Sequence, residues 1–344
     1  MTDTLRFGNI VIGESAPVVV IAEAACEHRG NLDEARRLVD LAKEAGADIV
    51  KFQLHLPEEE MIPNSIRFWA GSMDEVLAQV NLQPKDHEVL MRHCRTVGIQ
   101  YLCTPFCAKA ADILDEMGLQ AFKTGSGEMT NIPMLRQIAR KKKPMIVSTG
   151  MAKVEEILDT VDALRKEAAP FMLMNCTSAY PPRAGEVKLG FIPVMRQMFG
   201  TLVGYSDHAT DMWAVLGAVA LGAKVIEKHF TPDRSLKGPD HFISLEPQEF
   251  RAMVGAIRNL ESALGADKKV HPGEEEVRRW AHHSVVTLCH IPAGTKITPP
   301  MVGVKRPGWG VPAKHLEEFY GRIAVRPIPA NSLLVWQDIE GGAG

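Results

Sequence analysis

No apolar run in the sequence is long enough to cross a bilayer. The longest, residues 16–25, is broken by Pro17 and Glu23, whereas a spanning helix needs about 20 apolar residues. Charge of one sign is also missing. Lys and Arg number 39 against 42 Asp and Glu, so no field draws the chain to nucleic acid or to an anionic membrane. Cysteine is scarce. Of Cys26, Cys94, Cys103, Cys107, Cys176 and Cys289, only Cys103 and Cys107 lie close together, and no second pair completes a zinc site. Without a disulfide framework, the expected compartment is the reducing cytoplasm. The start Met1-Thr2-Asp3-Thr4 shows neither the basic residues nor the apolar stretch of a secretory signal, which points the same way.

What is present is a rhythm. Eight short apolar runs occur at residues 18–22, 49–52, 100–103, 121–123, 145–148, 171–175, 202–205 and 225–228. Amphipathic segments separate most of them, among them 32–45, 85–97, 108–117, 132–140 and 153–167. Several end in glycine, as at Gly46, Gly98, Gly118 and Gly222, the residue that closes a helix in left-handed conformation. Runs that are continuously apolar, rather than alternating, belong to a sheet buried on both faces. Eight β/α repeats within roughly 250 residues predict an α/β fold of the TIM (β/α)8 barrel type. A doubly wound open sheet is the alternative, but no Gly-x-Gly-x-x-Gly follows the first run. The expected domains are a barrel over 1–264, a charged irregular linker over 265–282, and a small β-rich domain over 283–344 with a helical piece at 313–319.

In such barrels chemistry sits at the C-terminal ends of the strands. Two successive runs end near His208 and His229 with a helical stretch between them, so both imidazoles reach one face of the sheet. Together with Glu23 they suit a borderline divalent metal such as Mn²⁺, with Mg²⁺ or Co²⁺ as alternatives; the competing reading is a pair of buried, hydrogen-bonded structural histidines. The run Lys123-Thr124-Gly125-Ser126-Gly127-Glu128 has the glycines, hydroxyl and ammonium of a phosphate cradle. Ser148 and Ser206 are similar small donors, and Lys51 and Lys123 supply charge for a ligand bearing phosphate and carboxylate. The turn Gly238-Pro239-Asp240 brings a carboxylate toward the mouth, where it could bind sugar hydroxyls.

These residues, in this order, resemble the sialic acid synthase family, the phosphoenolpyruvate-dependent nonulosonate synthases. The matching pieces are Ile21-Ala22-Glu23, Val50-Lys51-Phe52-Gln53, Cys103-Thr104-Pro105-Phe106, the Lys123–Glu128 run, Ser148-Thr149-Gly150-Met151, Tyr205-Ser206-Asp207-His208, Glu227-Lys228-His229-Phe230-Thr231 and Gly238-Pro239-Asp240. Ile291-Pro292-Ala293-Gly294-Thr295 and Lys305-Arg306-Pro307-Gly308 resemble the antifreeze-like (SAF) domain that such synthases carry. The resemblance implies condensation of phosphoenolpyruvate with an open-chain N-acetylmannosamine-like sugar, giving a nine-carbon 2-keto acid and phosphate. It implies a metal on His208 and His229, and catalytic roles for Glu23, Lys51, Lys123 and Glu128. It places phosphoenolpyruvate at Lys51, Lys123, Ser126, Ser148 and Ser206, and the sugar at Glu23, Gln53, Thr104, Tyr180 and Asp240. Arg306 is implied to reach the sugar's N-acyl group across a domain-swapped homodimer.

The chain departs from the family pattern after the first strand. Where the family usually has Glu-Ile-Gly-x-Asn-His-x-Gly, it reads Glu23-Ala24-Ala25-Cys26-Glu27-His28-Arg29-Gly30, an acid in place of an amide. Ser178 stands where many members have Asn, and the stretch 64–83, with Arg67, Phe68 and Trp69, is also unusual. The departures fall on the sugar side, so acceptors leading to legionaminic or pseudaminic acid, a phosphorylated or atypical aldose, and an inactive sugar-binding homologue remain as alternatives.

Overall fold

The computed structural model describes residues 4–68 and 71–342; Trp69 lies outside them. The chain forms two compact units, Met1–Gly265 and Ala266–Gly344.

In the first unit an antiparallel hairpin, β1 Thr4–Phe7 and β2 Ile10–Gly13, precedes the repeats. The strands that follow are β3 Val19–Ala25, β4 Ile49–Leu54, the two-residue pieces β5 Arg67–Phe68 and β6 Gly71–Ser72, β7 Gln100–Pro105, β8 Phe122–Thr124, β9 Met145–Ser148, β10 Phe171–Cys176, β11 Val203–Asp207 and β12 Val225–His229. Apart from β5 and β6, which pair with each other, these eight form one parallel sheet in the order β7-β4-β3-β12-β11-β10-β9-β8. β7 and β8 lie against each other and close the barrel. The eight expected runs are these strands. The open-sheet alternative fails because the last strand, β12, pairs with the first, β3.

Helices α1 Leu32–Glu44, α2 Pro57–Glu60, α3 Met73–Val80, α4 Pro84–Val97, α5 Ala108–Glu116, α6 Ile132–Arg140, α7 Val154–Lys166, α8 Phe191–Phe199, α9 Trp213–Ala220 and α10 Pro247–Ala263 complete the unit. Local signals fix their ends. The Asn31 side chain caps α1 by accepting from the N–H groups of Asp33 and Glu34, and Gly98, at φ 78°, closes α4 in left-handed conformation.

Side-chain alternation divides the strands into two cores. Val20, Ala22, Val50, Phe52, Cys103, Val147, Leu173 and Tyr205 face outward to the helices. Val19, Ile21, Ile49, Leu102, Ala121, Ile146, Met172, Met174, Leu202 and Val225 face inward, where Leu5, Phe7, Ile10 and Ile12 of the hairpin pack against them. The hairpin thus plugs the N-terminal end. Full burial of each such side chain contributes about 1.5–3 kcal/mol. Continuing the inward parity along each strand leads to the polar residues at the other end.

One charged pair sits on the outward side. Lys228 and Asp207 are both fully buried, 2.5 Å apart. The ammonium also donates to the carbonyl of Ala209, and Asp207 accepts from Tyr205 Oη at 2.8 Å. Asp207→Ala leaves that ammonium without its counter-charge and is expected to cost about 3–5 kcal/mol. An unfolding free energy from urea titration lowered by less than about 1 kcal/mol would contradict the assignment.

The second unit carries the antiparallel pair β13 Ser284–Thr287 and β14 Val302–Lys305 around a core of Val285, Ile291, Ile297, Val302, Phe319, Ala324 and Leu334. A 3₁₀ piece spans Ala313–Phe319. Residues expected to be an irregular linker hold instead a helix, α11 Pro272–Ala281. Pro272 at its first turn, Glu274 and Glu275 beside it, and Arg278 and Arg279 in the last turn match the helix dipole. Among the described residues, no helix is long and apolar enough to cross a membrane.

Candidate active site

Continuing the inward parity of β3, β4, β7, β8, β9, β11 and β12 brings Glu23, Lys51, Gln53, Thr104, Lys123, Ser148, Ser206, Glu227 and His229 to the C-terminal end of the barrel. All are buried except Gln53, which is half-buried.

Their contacts form one network. Lys51 Nζ lies 2.5 Å from Glu23 Oε2 and 3.8 Å from Glu227 Oε2, and it donates to Thr104 Oγ1 at 3.0 Å. Lys123 Nζ lies 3.6 Å from Glu227 Oε1. Ser206 Oγ donates to the same oxygen at 3.1 Å, and Gln53 Nε2 donates to Glu23 Oε1 at 2.9 Å. Glu227 is therefore the hub between the two lysines, and sequence reasoning missed its role. The signal was available, because it precedes His229 by two residues and shares its face. Burial alone would raise the Glu227 pKa, but Lys123 and Lys51 outweigh it and the net shift is downward. Glu23 goes the other way: burial dominates and holds its pKa above the usual range. Lys51 is shifted upward, since Glu227 and Glu23 together outweigh its burial.

At the same barrel end three hydroxyls converge. Ser126 Oγ lies 2.9 Å from Ser148 Oγ. A Cβ on Gly150 would collide with Ser126 Oγ and Ser178 Oγ, so glycine is needed for their approach. Ser178, noted in the sequence only as a departure, thus joins the cradle. The Glu128 carboxyl folds back over Gly125, and burial pushes its pKa up to about 7. The folded state then keeps a proton that the unfolded chain loses from its ordinary 4.5 upward. Stability tied to this group falls as pH rises from 4.5 to about 7. Glu128→Gln removes the penalty, so its thermal midpoint is expected to exceed that of the parent at pH 8 and to converge with it near pH 4.5. The corresponding stability difference is at most about 3 kcal/mol; equal midpoints at pH 8 would refute the buried acid.

The histidines form the other half. The rings of His208 and His229 are 5.3 Å apart, and Tyr180 leans on His208 at 4.1 Å. His208 Nδ1 donates to the Thr177 carbonyl at 2.8 Å. That bond fixes Nδ1 as the protonated nitrogen, so the neutral ring keeps its lone pair on Nε2. Burial, reinforced by the neighbouring cations, holds His229 well below the usual histidine range, in its neutral ligating form. Its Nδ1 is buried without a hydrogen-bond partner, 3.8 Å from Asp240 Oδ2. Burial, with Glu27 and Glu23 nearby, pushes Asp240 up to about 7. One ligand atom each from Glu27, His229 and Asp240 lie within 4.8 Å of one another. Glu23 and Glu227 face the ammoniums of Lys51 and Lys123, whereas Glu27 lies against His241 and Asp240 against His229, and a divalent cation would add positive charge among these carboxyls. The donor set of imidazoles and carboxylates fits such an ion.

The barrel unit thus brings together every expected site residue except Arg306. Arg306 is exposed in the second unit, where its Nε donates to the Ala281 carbonyl and its guanidinium lies 5.7 Å from the Trp280 ring.

Comparison with known proteins adds a second line. A model of the NeuB family matches residues 38–269, and one of the SAF domain matches residues 283–340. The chain is 37% identical to the N,N'-diacetyllegionaminic acid synthase of Campylobacter jejuni, over 92% of its own length and 98% of that protein. It is 34% identical to human N-acetylneuraminate-9-phosphate synthase, over 86% of its length and 84% of the relative. The crystal structure of an N-acetylneuraminic acid synthetase from Leptospira borgpetersenii superposes with a TM-score of 0.73 at 33% identity, covering 80% of this chain and 94% of that one.

Proposed function

The chain belongs to the NeuB family, and from that premise we propose that it condenses phosphoenolpyruvate with an open-chain N-acylated hexosamine, forming a nine-carbon 2-keto acid and releasing phosphate. The observation that carries this reading is the pairing of an anion pocket with a cation pocket. Lys51 and Lys123, bridged by Glu227, share the C-terminal barrel end with the converging hydroxyls of Ser126 and Ser148, and the His208, His229 and Asp240 group completes it.

In this reaction Lys51, Lys123, Ser126, Ser148 and Ser206 hold the phosphate and carboxylate of phosphoenolpyruvate. Glu227 orients both ammoniums, so little reorganisation is needed when the anion enters. Gln53, Thr104, Tyr180 and Asp240 hold the sugar with its aldehyde carbon facing C3 of phosphoenolpyruvate. Carbon–carbon bond formation leaves an oxocarbenium at C2 and an alkoxide on the former aldehyde. Glu23, whose pKa burial raises, is placed to pass a proton to that alkoxide. Water adds at C2, and the tetrahedral intermediate expels phosphate. His208 through Nε2, His229 and Asp240 would hold the divalent ion, Mn²⁺ by preference. When bound, that ion polarises the aldehyde and acidifies a water. Arg306 is assigned to the sugar's N-acyl group in the neighbouring site of a homodimer. The reaction belongs in the cytoplasm, where the free thiols stay reduced.

The test is phosphate release from phosphoenolpyruvate with Mn²⁺, across N-acetylmannosamine, 2,4-diacetamido-hexoses, mannose and small aldose phosphates. Metal-dependent release with an N-acylated hexosamine is expected. Release with an aldose phosphate alone would replace the acceptor class, and failure to bind phosphoenolpyruvate would overturn the reading.

A further inference from the structure

We propose that Glu27 is a ligand of the divalent ion, joining His229 and Asp240 as an additional carboxylate. The inference rests on the metal-dependent reading above and extends it to a residue that departs from the family pattern. Glu27 is held in a tight turn after β3, with its N–H donating to the Ala24 carbonyl at 3.0 Å and Arg29 N–H donating to Cys26 O at 2.9 Å. It is only 2% exposed. Its Oε2 lies 2.5 Å from His241 Nδ1, yet both carboxyl oxygens are buried without a hydrogen-bond partner.

Glu27 is not an isolated buried acid. His229, 5% exposed, turns an unpartnered Nδ1 into the same space, toward Asp240. Three ligand atoms from three separate segments therefore lie within 4.8 Å of one another. Two carboxylates and an imidazole lone pair repel one another in so dry a place, and a cation reverses that repulsion.

The surroundings are arranged as an outer shell. His241 Nδ1, which faces Glu27, also hydrogen-bonds with Thr231 Oγ1 at 2.7 Å. A Cβ on Gly238 would collide with the His241 ring, so the Gly238-Pro239-Asp240-His241 turn places Asp240 and the support for Glu27 together. An amide at position 27 could offer an oxygen but no charge. The acid gives this chain a more anionic ion site and binds Mn²⁺ more tightly.

The experiment titrates Mn²⁺ alone into metal-stripped full-length protein, with free Mn²⁺ followed by electron paramagnetic resonance. The parent is expected to bind one ion per chain, and Glu27→Gln to bind it about 10–100-fold more weakly. The metal-free Glu27→Gln variant should melt no lower than the parent, while the rise in Tm caused by Mn²⁺ shrinks. Equal affinity and an unchanged spectrum in Glu27→Gln would overturn the proposal, as would a parent that binds no Mn²⁺. If the variant does not fold, anomalous scattering from Mn²⁺ in parent crystals decides. A peak in bonding contact with the Glu27 carboxylate supports the assignment, and a peak held by His208 and His229 with Glu27 turned away refutes it. None of these readings uses phosphoenolpyruvate or a sugar. Mn²⁺ bound through Glu27 in a protein that releases no phosphate would sustain the ligand and defeat the reaction.

Discussion

Lys123→Met is expected to lower kcat/KM for phosphoenolpyruvate by about 10²–10³, the scale for loss of one preorganised charge donor in a dry site. Lys123 is 2% exposed, so its ammonium cannot be replaced by solvent or by a surface lysine. Its nearest counter-charge is Glu227, which it shares with Lys51. Removing Lys123 therefore also leaves Glu227 under-compensated, and some loss of stability accompanies the loss of activity. The two effects separate in a double variant. Lys123→Met with Glu227→Gln removes the stranded charge, so the urea midpoint should recover while kcat/KM does not. Recovery of both would mean that Lys123 serves the fold and not the substrate. A single variant that titrates phosphoenolpyruvate with unchanged affinity would remove it from the anion pocket altogether.

The barrel was legible because its signals are local and repeated. Each strand is a short apolar run, and alternation within it divides inside from outside, so Ile49 and Lys51 fall on one face and Val50 and Phe52 on the other. The polar strand ends follow from the same parity. Two features of equal locality were overlooked. Leu5 and Phe7 alternate toward Gly8 and continue as Ile10 and Ile12, the pattern of the hairpin that plugs the barrel floor. The end signals of α11, from Pro272 to Arg279, are the other, hidden in a stretch dense in charge. The Glu27 cluster was not legible at all. Glu27 and Asp240 lie 213 residues apart in irregular loops, and only turn geometry brings them to His229. Residue type revealed the departure from the family; it carried no information about what the acid would face.

His208→Ala is expected to abolish metal-dependent turnover, a loss of at least about 10³-fold, matching the several kcal/mol that a Lewis acid supplies to a transition state. The side chain does not hold the core together. It packs against Tyr180 and His229 at the mouth, and its one strong hydrogen bond runs to a loop carbonyl. The variant should therefore keep its circular dichroism spectrum and most of its thermal stability. That same hydrogen bond makes the prediction specific. With Nδ1 committed to Thr177, only Nε2 can meet an ion. Turnover by the parent in excess chelator would sink the metal assignment directly. A variant with unchanged kcat and a raised KM for the sugar alone would instead place His208 among the sugar contacts, because a ligand that acts through the transition state must lower kcat.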